Sequence, residues 1–333
     1  MSVLNTYKSI DSFVKIEKAF KPYLEESEKL LINFASDKPI WFQNVLNHLL
    51  LAGGKRIRPI IVFLSYSLLT NENINSNCIL MSAIAEYVHT ATLLHDDVID
   101  EGKERRGLPT VNLVYGNHTA VLGGDFILSK VFRELRNFKN ELFEMINTVS
   151  KLVEGEIHQM DMKNKDSINL EDYEKLIYLK TASLFEWCTV AGTYSCNKLE
   201  YTELFRNLGN HIGRIFQIVD DILDYTGNNI LGKKRLQDFY QGKITLPLIF
   251  LFQEDNYSFV QWKTLVKNND LEKLEKLGKD FSNRIKEEDI QIKMKNYLEK
   301  DIISIKNVVS QIPKTKYHDY VNDLISFLVS RIY

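Results

Sequence analysis

The 333-residue sequence predicts an all-α fold, formed as one large helical domain over residues 1–333. Apolar residues recur three and four positions apart through most of the chain, whereas the alternation typical of half-buried strands is nearly absent. With only 15 Gly and 6 Pro, the composition argues against a many-turned all-β fold. No Pro/Ser-rich linker or shift in composition divides the chain, which favours a single domain.

Four segments carry this helical pattern in chain order. Residues 12–34 place apolar side chains at the helical period with charges between them, as in an amphipathic helix. Residues 78–95 are nearly all apolar or small, so we expect their helix to be buried on most sides. Residues 201–225 and 258–333 repeat the spacing of three and four among polar residues, and glycine-containing turns such as 52–54 predict the loops.

The composition also excludes several classes of protein. The 42 Lys and Arg residues against 44 Asp and Glu leave a net charge of −2, too little positive charge for a dedicated nucleic-acid binder. Cys78, Cys188 and Cys196 cannot form a disulfide framework and lack the paired spacing of metal ligands, which favours a reducing compartment. The N-terminus lacks the pattern of a secretory signal, and no apolar run approaches about 18 residues. We therefore expect a soluble cytoplasmic protein.

An Asp-Asp-x-x-Asp motif occurs twice, each time where an apolar segment ends. The six carboxylates are Asp96, Asp97, Asp100, Asp220, Asp221 and Asp224. On a helix, positions i and i+4 share a face about 6 Å apart, so the first and last aspartates of each motif point the same way. A hard cation between the clusters would relieve their repulsion, and small carboxylates suit Mg²⁺, which also binds substrate phosphates. The alternative is that each motif is simply a solvated helix end.

Clusters of basic residues adjoin both acidic motifs. They comprise Lys55, Arg56 and Arg58 after a Gly-Gly pair, Lys103, Arg105 and Arg106 after the first motif, and Lys233, Lys234 and Lys243 after the second. Arginine binds phosphate bidentately and lysine binds it as a point charge. Such cations beside Mg²⁺-binding carboxylates can hold one diphosphate through metals and a second through cations. A basic run alone is more often a solvated surface, but its position beside an acidic motif favours function.

Other catalytic patterns are missing from the sequence. It contains neither a phosphate-binding P-loop nor the Gly-x-Ser-x-Gly turn of serine hydrolases. A di-iron bundle needs two Glu-x-x-His motifs, and only Glu86–His89 fits. The paired aspartate motifs therefore remain the strongest functional signal.

The motifs also follow one another in a characteristic order. Gly-Gly-Lys-Arg-x-Arg-Pro precedes His-Thr-Ala-Thr-Leu-Leu-His-Asp-Asp-Val-x-Asp with Arg-Arg-Gly, followed by Lys-Thr-Ala, Phe-Gln-x-x-Asp-Asp-x-Leu-Asp and Gly-Lys-x-Thr-Leu-Pro. This pattern resembles the trans-isoprenyl diphosphate (polyprenyl) synthases over roughly residues 20–330, most closely the long-chain, octaprenyl-type members. The resemblance implies a helical bundle around a deep central cavity, usually as a homodimer. It also implies head-to-tail condensation of an allylic diphosphate, farnesyl or geranyl, with isopentenyl diphosphate.

The resemblance further implies roles for individual residues. The six aspartates would hold Mg²⁺ ions, three per site with Mn²⁺ as an alternative, on the allylic diphosphate. The positions that match those gripping isopentenyl diphosphate are Lys55, Arg58, His89 and Arg106. The positions that match those around the allylic diphosphate and the nascent cation are Arg105, Lys180, Thr181, Gln217 and Lys243. One departure is Asp238-Phe239-Tyr240-Gln241, where the family commonly has Asp-Leu; we interpret it as loop variation.

Product length should depend on what blocks the cavity beneath the first motif. Ala91 and Thr92 stand five and four residues before Asp96, where short-chain members tend to have an aromatic residue or a longer motif. The growing chain is therefore expected to pass Ala91 and reach C30–C50, about C40, as a quinone side chain. Glu154-Gly155-Glu156-x-x-Gln159 also looks like the long-chain branch. A peripheral membrane contact for product release is a further expectation.

Four other interpretations remain open at this point. The product could be the shorter farnesyl or geranylgeranyl diphosphate. A class I terpene cyclase would usually carry a different second motif, and a non-catalytic subunit of a two-component synthase would generally lose an aspartate cluster. A purely structural helical protein would show no Mg²⁺-dependent diphosphate binding.

Overall fold

The computed structural model describes residues 3–33, 36–51, 53–165, 167–226, 236–253 and 256–332. Over these ranges it confirms the all-α prediction. The helices are α1 (Val3–Asn33), α2 (Ile40–Leu51), α3 (Ile57–Leu69), α4 (Ser76–Ile99), α5 (Val111–Tyr115), α6 (Asn117–Leu135), α7 (Lys139–Met162), α8 (Leu170–Ile177), α9 (Ser183–Ser195), α10 (Thr202–Thr226), α11 (Gln237–Tyr240), α12 (Leu246–Phe252), α13 (Asn256–Lys267), α14 (Leu271–Arg284), α15 (Glu288–Ser310) and α16 (His318–Ser330). Within these ranges, no helix combines the length and apolar character needed to cross a membrane.

Three short elements complete the described chain. A five-residue π-helical turn (Tyr178–Ala182) joins α8 to α9, and a 3₁₀ turn (Leu199–Tyr201) precedes α10. Strands β1 (Glu104–Arg105) and β2 (Leu108–Pro109) pair antiparallel directly after α4. The hairpin and the π turn both lie beside the residues predicted to be functional.

The centre of the bundle is formed by α3, α4, α9 and α10, which pack against one another. Helix α4 begins at Asn75, whose side chain accepts a hydrogen bond from the backbone N–H of Cys78, and it is buried along most of its length, as expected. Helix α10 approaches α9 closely because Gly209 and Gly213 face it. A Cβ atom added at Gly209 would lie 2.4 Å from Oγ1 of Thr189. These glycines therefore allow α10, which carries the second acidic motif, to lie close to α9 and to the π turn before it.

The C-terminal helices pack around this centre. Helix α15 is joined to α10 by the buried carboxylate of Asp301, which accepts hydrogen bonds from Nδ1 of His211 at 2.7 Å and Nε of Arg214 at 2.9 Å. Helix α16 packs on α1, where the rings of Phe13 and Phe327 stack with centroids 4.2 Å apart. This packing brings the end of α16 beside the basic segment that begins at residue 53.

Candidate active site

The first acidic motif forms the C-terminal end of α4. Asp96 and Asp100 are one helical turn apart on the same face. The buried Asp97 instead faces Arg105, whose Nε donates to its two carboxylate oxygens at 3.0 and 3.1 Å and whose Nη2 donates to Oδ1 at 2.7 Å. Arg105 therefore neutralises Asp97 and anchors the hairpin to α4.

The second acidic motif lies in the last two turns of α10, and its aspartates differ in their surroundings. Asp221 is buried, and each of its oxygens accepts a hydrogen bond, from Oη of Tyr173 at 2.7 Å and from Nε2 of Gln217 at 2.8 Å. Asp220 has 37% of its side chain exposed and lies 3.8 Å from Nη2 of Arg331. Of the three aspartates of this motif, Asp220 is therefore the one whose carboxylate is accessible from solvent.

Asp224, the last aspartate of the motif, holds the segment that follows the second motif. Its buried carboxylate accepts hydrogen bonds from the backbone N–H groups of Gln237 and Asp238, both at 3.1 Å, and its carbonyl accepts one from the N–H of Leu236 at 2.9 Å. These are the unpaired N–H groups at the start of α11. Asp224 therefore fixes where α11 begins and, with it, the position of Lys243.

Lys243 ties the first acidic motif to the segment that follows the second one. Its ammonium donates to Oδ2 of Asp100 at 2.7 Å and lies 3.8 Å from the carboxylate of Asp238. Because Asp224 holds the start of α11, where Asp238 lies, Lys243 connects the two motifs indirectly, through α11. Lys233 and Lys234, which the sequence also singled out, lie outside the described residues.

Burial raises the pKa of two of these carboxyl groups. Together with the nearby Glu156 and Asp100, it raises the pKa of Asp96 to about 6, although Lys180 and Arg105 oppose the shift. Burial raises the pKa of Asp221 to about 8, with a further contribution from Asp238. Both groups are therefore harder to ionise than exposed aspartates, and a nearby cation would favour their charged form.

The oxygen ligands of these motifs fit a divalent cation. Within the described ranges, no three carboxylate, imidazole or thiolate side chains converge closely enough to enclose a metal on their own. Mg²⁺ does not need such a cage, because it usually binds one or two carboxylates and completes its coordination with water and substrate phosphate. Asp96, Asp220 and Asp100, which pairs with Lys243 in this structure, are candidate ligands of this kind. Arg105 neutralises Asp97, and backbone N–H groups hold Asp224.

A cleft rich in arginine adjoins the first motif. Its walls are formed by Arg56, Glu86, His89, Thr90, Leu93, Arg105 and Arg106. Burial and the four surrounding guanidinium groups hold the pKa of His89 well below its usual value, so the imidazole is neutral at pH 7. Arg56 is held by Glu86 at 2.8 Å and by Glu28 at 3.1 Å. The cleft thus has the donors needed for an anion.

Arg106 reaches this cleft through an unusual backbone conformation. Its φ is +53° and that of Gly107 is +78°, as in the tight turn of a type I′ hairpin. Its guanidinium donates to the carbonyl of Gly53, and a Cβ atom added at Gly54 would lie 2.6 Å from Nη1 of Arg106. Gly54 therefore leaves room for the guanidinium of Arg106 against this loop, and Gly53 adopts a positive φ of +71°.

Lys55 and Arg331 lie beside Asp220, and Arg58 extends this basic group toward Glu86 and Arg106 of the arginine-lined cleft. Partial burial and the nearby Arg331 lower the pKa of Lys55 to about 8, against the attraction of Asp220, and its ammonium lies 4.6 Å from the ring centroid of Phe327. Arg58 is half-buried, its Nε has no partner among the described groups, and its guanidinium lies 5.2 Å from the ring of Phe185. The sequence analysis missed Arg331, because a lone arginine near the chain end carries no motif.

The π turn presents Lys180 and Thr181 to the same cleft. The ammonium of Lys180 pairs with Glu156 and donates to Oε1 of Gln159 at 3.1 Å. Thr181 donates from Oγ1 to Oε1 of Gln217 at 2.6 Å. The sequence analysis linked Glu156 and Gln159 only to chain length, whereas the structure places both on a site lysine.

The two residues predicted to govern chain length lie on α4. Ala91 is completely buried. Thr92 is half-buried one helical turn before Asp96, and its hydroxyl donates to the carbonyl of His89 at 2.8 Å. Their role in product length stays a prediction.

Comparison with known proteins agrees with this geometry. The sequence model described as Polyprenyl synthetase matches residues 39–282. The chain belongs to the polyprenyl synthetase family. This enzyme is thus a prenyltransferase of the type that uses isoprenyl diphosphate substrates.

Its relatives include long-chain synthases. It is 39% identical to an all-trans-nonaprenyl-diphosphate synthase (geranyl-diphosphate specific) of Rhodobacter capsulatus, over 66% of this chain and 68% of that protein. It is 37% identical to an octaprenyl diphosphate synthase of Haemophilus influenzae, over 74% and 75%. The crystal structure of a Caulobacter crescentus polyprenyl synthase complexed with calcium and isoprenyl diphosphate superimposes with a TM-score of 0.85 at 25% identity, covering 96% of this chain and 98% of that one.

Proposed function

We propose that this polyprenyl synthetase is a Mg²⁺-dependent trans-prenyltransferase that condenses an allylic diphosphate with isopentenyl diphosphate head to tail. The observation that carries the proposal is the contact between Lys243 and Asp100, which ties the first acidic motif to the segment held by Asp224 of the second, beside an arginine-lined cleft. One diphosphate can be held between the motifs and a second one in the basic group.

The acidic side of the site would hold the allylic diphosphate. Asp96, Asp100 and Asp220 would hold Mg²⁺, with three ions expected, and the bound metal would act as a Lewis acid on the phosphate oxygens. Lys180 and Lys243 would bind the departing diphosphate and stabilise the negative charge that develops on it. The chemistry would thus depend on cations that are already in place before the bond breaks.

The polar groups around the breaking bond would be arranged by hydrogen bonds. Gln217 and Thr181 are joined at 2.6 Å and would lie beside the nascent allylic cation. The departing diphosphate would accept the final proton, so the mechanism requires no protein base. Apolar helix walls would keep water away from the cation.

The basic side of the site would hold isopentenyl diphosphate. Lys55, Arg58 and Arg106 would supply cations, and the neutral His89 would supply a hydrogen bond rather than a charge. Positioning of the isopentenyl double bond against the allylic carbon would then be the main contribution of this side to the rate.

We propose a long product of C30–C50, about C40, which serves as a quinone side chain. The nonaprenyl and octaprenyl synthases among the relatives support this length. The small Ala91 below the first motif supports it as well. Farnesyl or geranylgeranyl diphosphate is the alternative, and sizing of the product distinguishes the two.

We propose that the enzyme is a cytoplasmic homodimer that contacts membranes only peripherally to release its product. An apolar stripe on α7 supports the dimer: Phe143, Ile146, Val153, Ile157 and Met160 lie on one face and are each more than half exposed. Ile157→Glu should produce monomers in light scattering after gel filtration. A dimer of unchanged stability in this variant would contradict the assignment of the stripe.

The experiment that tests the activity uses purified protein with Mg²⁺, farnesyl diphosphate and labelled isopentenyl diphosphate, followed by dephosphorylation and sizing. A Mg²⁺-dependent ladder that ends beyond C20, and that is absent with Asp96→Ala, is expected. Termination at C15 or C20 would refute the long product, and no incorporation with any allylic primer would refute the proposed activity.

A further inference from the structure

Tyr173 contacts the second acidic motif from outside it. The side chain lies on α8, is 1% exposed, and donates from Oη to Oδ2 of Asp221 at 2.7 Å. No motif in the sequence marks this tyrosine. Its hydroxyl is nevertheless the only described group that donates to this carboxylate oxygen.

The hydroxyl is the end of a continuous chain of hydrogen bonds. Thr181 donates to Oε1 of Gln217 at 2.6 Å, so the amide nitrogen of Gln217 is directed to Oδ1 of Asp221, where it donates at 2.8 Å. Tyr173 occupies the other oxygen. Both oxygens of Asp221 and both ends of the Gln217 amide are thereby fixed in orientation.

The position of α8 does not depend on this hydroxyl. The residue next to Tyr173, Glu174, accepts a hydrogen bond from Oη of Tyr297 at 2.6 Å and lies 3.6 Å from Nη2 of Arg214. Helix α8 is thus attached to both α15 and α10 through a separate contact. Removal of the Tyr173 hydroxyl should therefore leave the helix in place.

We propose that Tyr173 is a positioning residue for the metal and allylic side of the site, acting through Asp221. This role of Tyr173 rests on the proposed function, which assigns Asp220 to the metal and Gln217 to the nascent cation. With the hydroxyl present, both oxygens of Asp221 have a donor, so this carboxylate and the Gln217 amide bonded to it keep one orientation next to Asp220. Without it, Asp221 has one donor left, and the orientation of Asp221 and Gln217 relaxes.

The test compares Tyr173→Phe with Tyr297→Phe as a matched control. Both variants remove a tyrosine hydroxyl, and the hydroxyl of Tyr297 donates to Glu174, the residue that follows Tyr173 on α8. Binding of Mn²⁺ in the presence of inorganic diphosphate is followed from the free-ion signal in electron paramagnetic resonance. Tyr173→Phe should weaken Mn²⁺ binding about tenfold, the lower end of the effect of losing an outer hydrogen bond that orients a metal site. Tyr297→Phe should change it less than twofold.

Steady-state kinetics give a second readout. Tyr173→Phe should lower kcat about tenfold and leave the KM for isopentenyl diphosphate unchanged, because that substrate is assigned to the basic group. In an Asp221→Ala background, Tyr173→Phe should have no further effect, since the tyrosine acts through this carboxylate.

Three results would overturn the proposal: wild-type Mn²⁺ binding in Tyr173→Phe, equal losses in both phenylalanine variants, or a full additional loss in the Asp221→Ala background. Failure of the proposed function itself is distinguishable. In that case the wild-type enzyme would show neither Mn²⁺–diphosphate binding nor product.

Discussion

Lys243 offers the sharpest perturbation of the site, because its ammonium ties the first acidic motif to the segment that follows the second one. Lys243→Met keeps most of the apolar length of the side chain and removes the ammonium, with its charge and its hydrogen-bond donors. At the observed 2.7 Å from Asp100, an effective dielectric constant of about 20 gives a gross attraction of about 6 kcal/mol. Desolvation offsets part of this attraction, and loss of one partner from a buried pair costs about 3–5 kcal/mol. We therefore expect the metal-free variant to lose about 3 kcal/mol of stability.

Addition of Mg²⁺ should reverse part of this loss. A cation bound at Asp100 replaces the missing ammonium on that carboxylate, so Mg²⁺ with inorganic diphosphate should raise the unfolding midpoint of the variant more than that of the wild type. Catalysis should not recover, because one cation that faces the departing diphosphate is gone. We expect kcat to fall about 10²- to 10³-fold.

The matched control is Lys279→Met, which breaks a pair of similar length, 2.8 Å to Glu275, between largely exposed side chains. Exposed pairs contribute about 0–1 kcal/mol, so this variant should keep both its stability and its kcat. Urea unfolding with and without Mg²⁺ measures the stability, and steady-state condensation measures kcat. A kcat within threefold of wild type for Lys243→Met would refute the role of Lys243 at the diphosphate.

Three further changes test other parts of the site. Because the pKa of Lys55 is lowered to about 8, its ammonium is charged below that pH and loses its proton above it. The KM for isopentenyl diphosphate should therefore rise about tenfold between pH 7.5 and 9. Lys55→Arg should flatten this pH profile, and an unchanged slope in that variant would argue against a contact of Lys55 with the substrate. Gly155→Ala would place a Cβ atom 2.7 Å from Cγ of Lys180 and 2.9 Å from its backbone nitrogen. The variant should therefore lose about 1–3 kcal/mol of its free energy of unfolding in urea, and its kcat should fall because Lys180 is displaced. An active variant of normal stability would mean that α7 moves freely against the π turn. Ala91→Phe should shorten the product to C20 or less when the dephosphorylated products are sized, and a folded variant with unchanged product length would show that the floor of the cavity lies elsewhere.

The sequence predicted much of the fold because helix formation leaves a local record. The segments read as helical at 12–34, 78–95 and 201–225 correspond to α1, α4 and α10, whose bounds differ by a few residues or, for the start of α1, by nine positions. The i, i+4 spacing within each acidic motif likewise placed Asp96 and Asp100 on one face without reference to the rest of the chain. The order of the motifs then indicated the family, which the comparisons confirmed.

Local spacing could not distinguish the three aspartates within a motif. The sequence treated Asp97 as equal to Asp96, yet Arg105 occupies Asp97 because the hairpin folds back on α4. It likewise treated Asp224 as equal to Asp220, yet Asp224 holds the start of α11 through backbone N–H groups. These differences arise from the segments that follow each helix. The helical period of α4 or α10 does not indicate in which direction the chain continues after the helix.

The sequence by itself therefore determined the helices, the six carboxylates and the cations that accompany them, because each depends on residues within a few positions of one another. Only the tertiary structure decided how they meet. Lys243 lies 143 residues from Asp100, Tyr173 lies 48 residues from Asp221, and Arg331 comes to Asp220 from the far end of the chain. Such contacts depend on how closely whole helices pack. Gly209 and Gly213, for example, allow α10 to lie close to α9. The distance between two helices depends on side chains that are far apart in the sequence, and the sequence pattern of either helix alone does not reveal it.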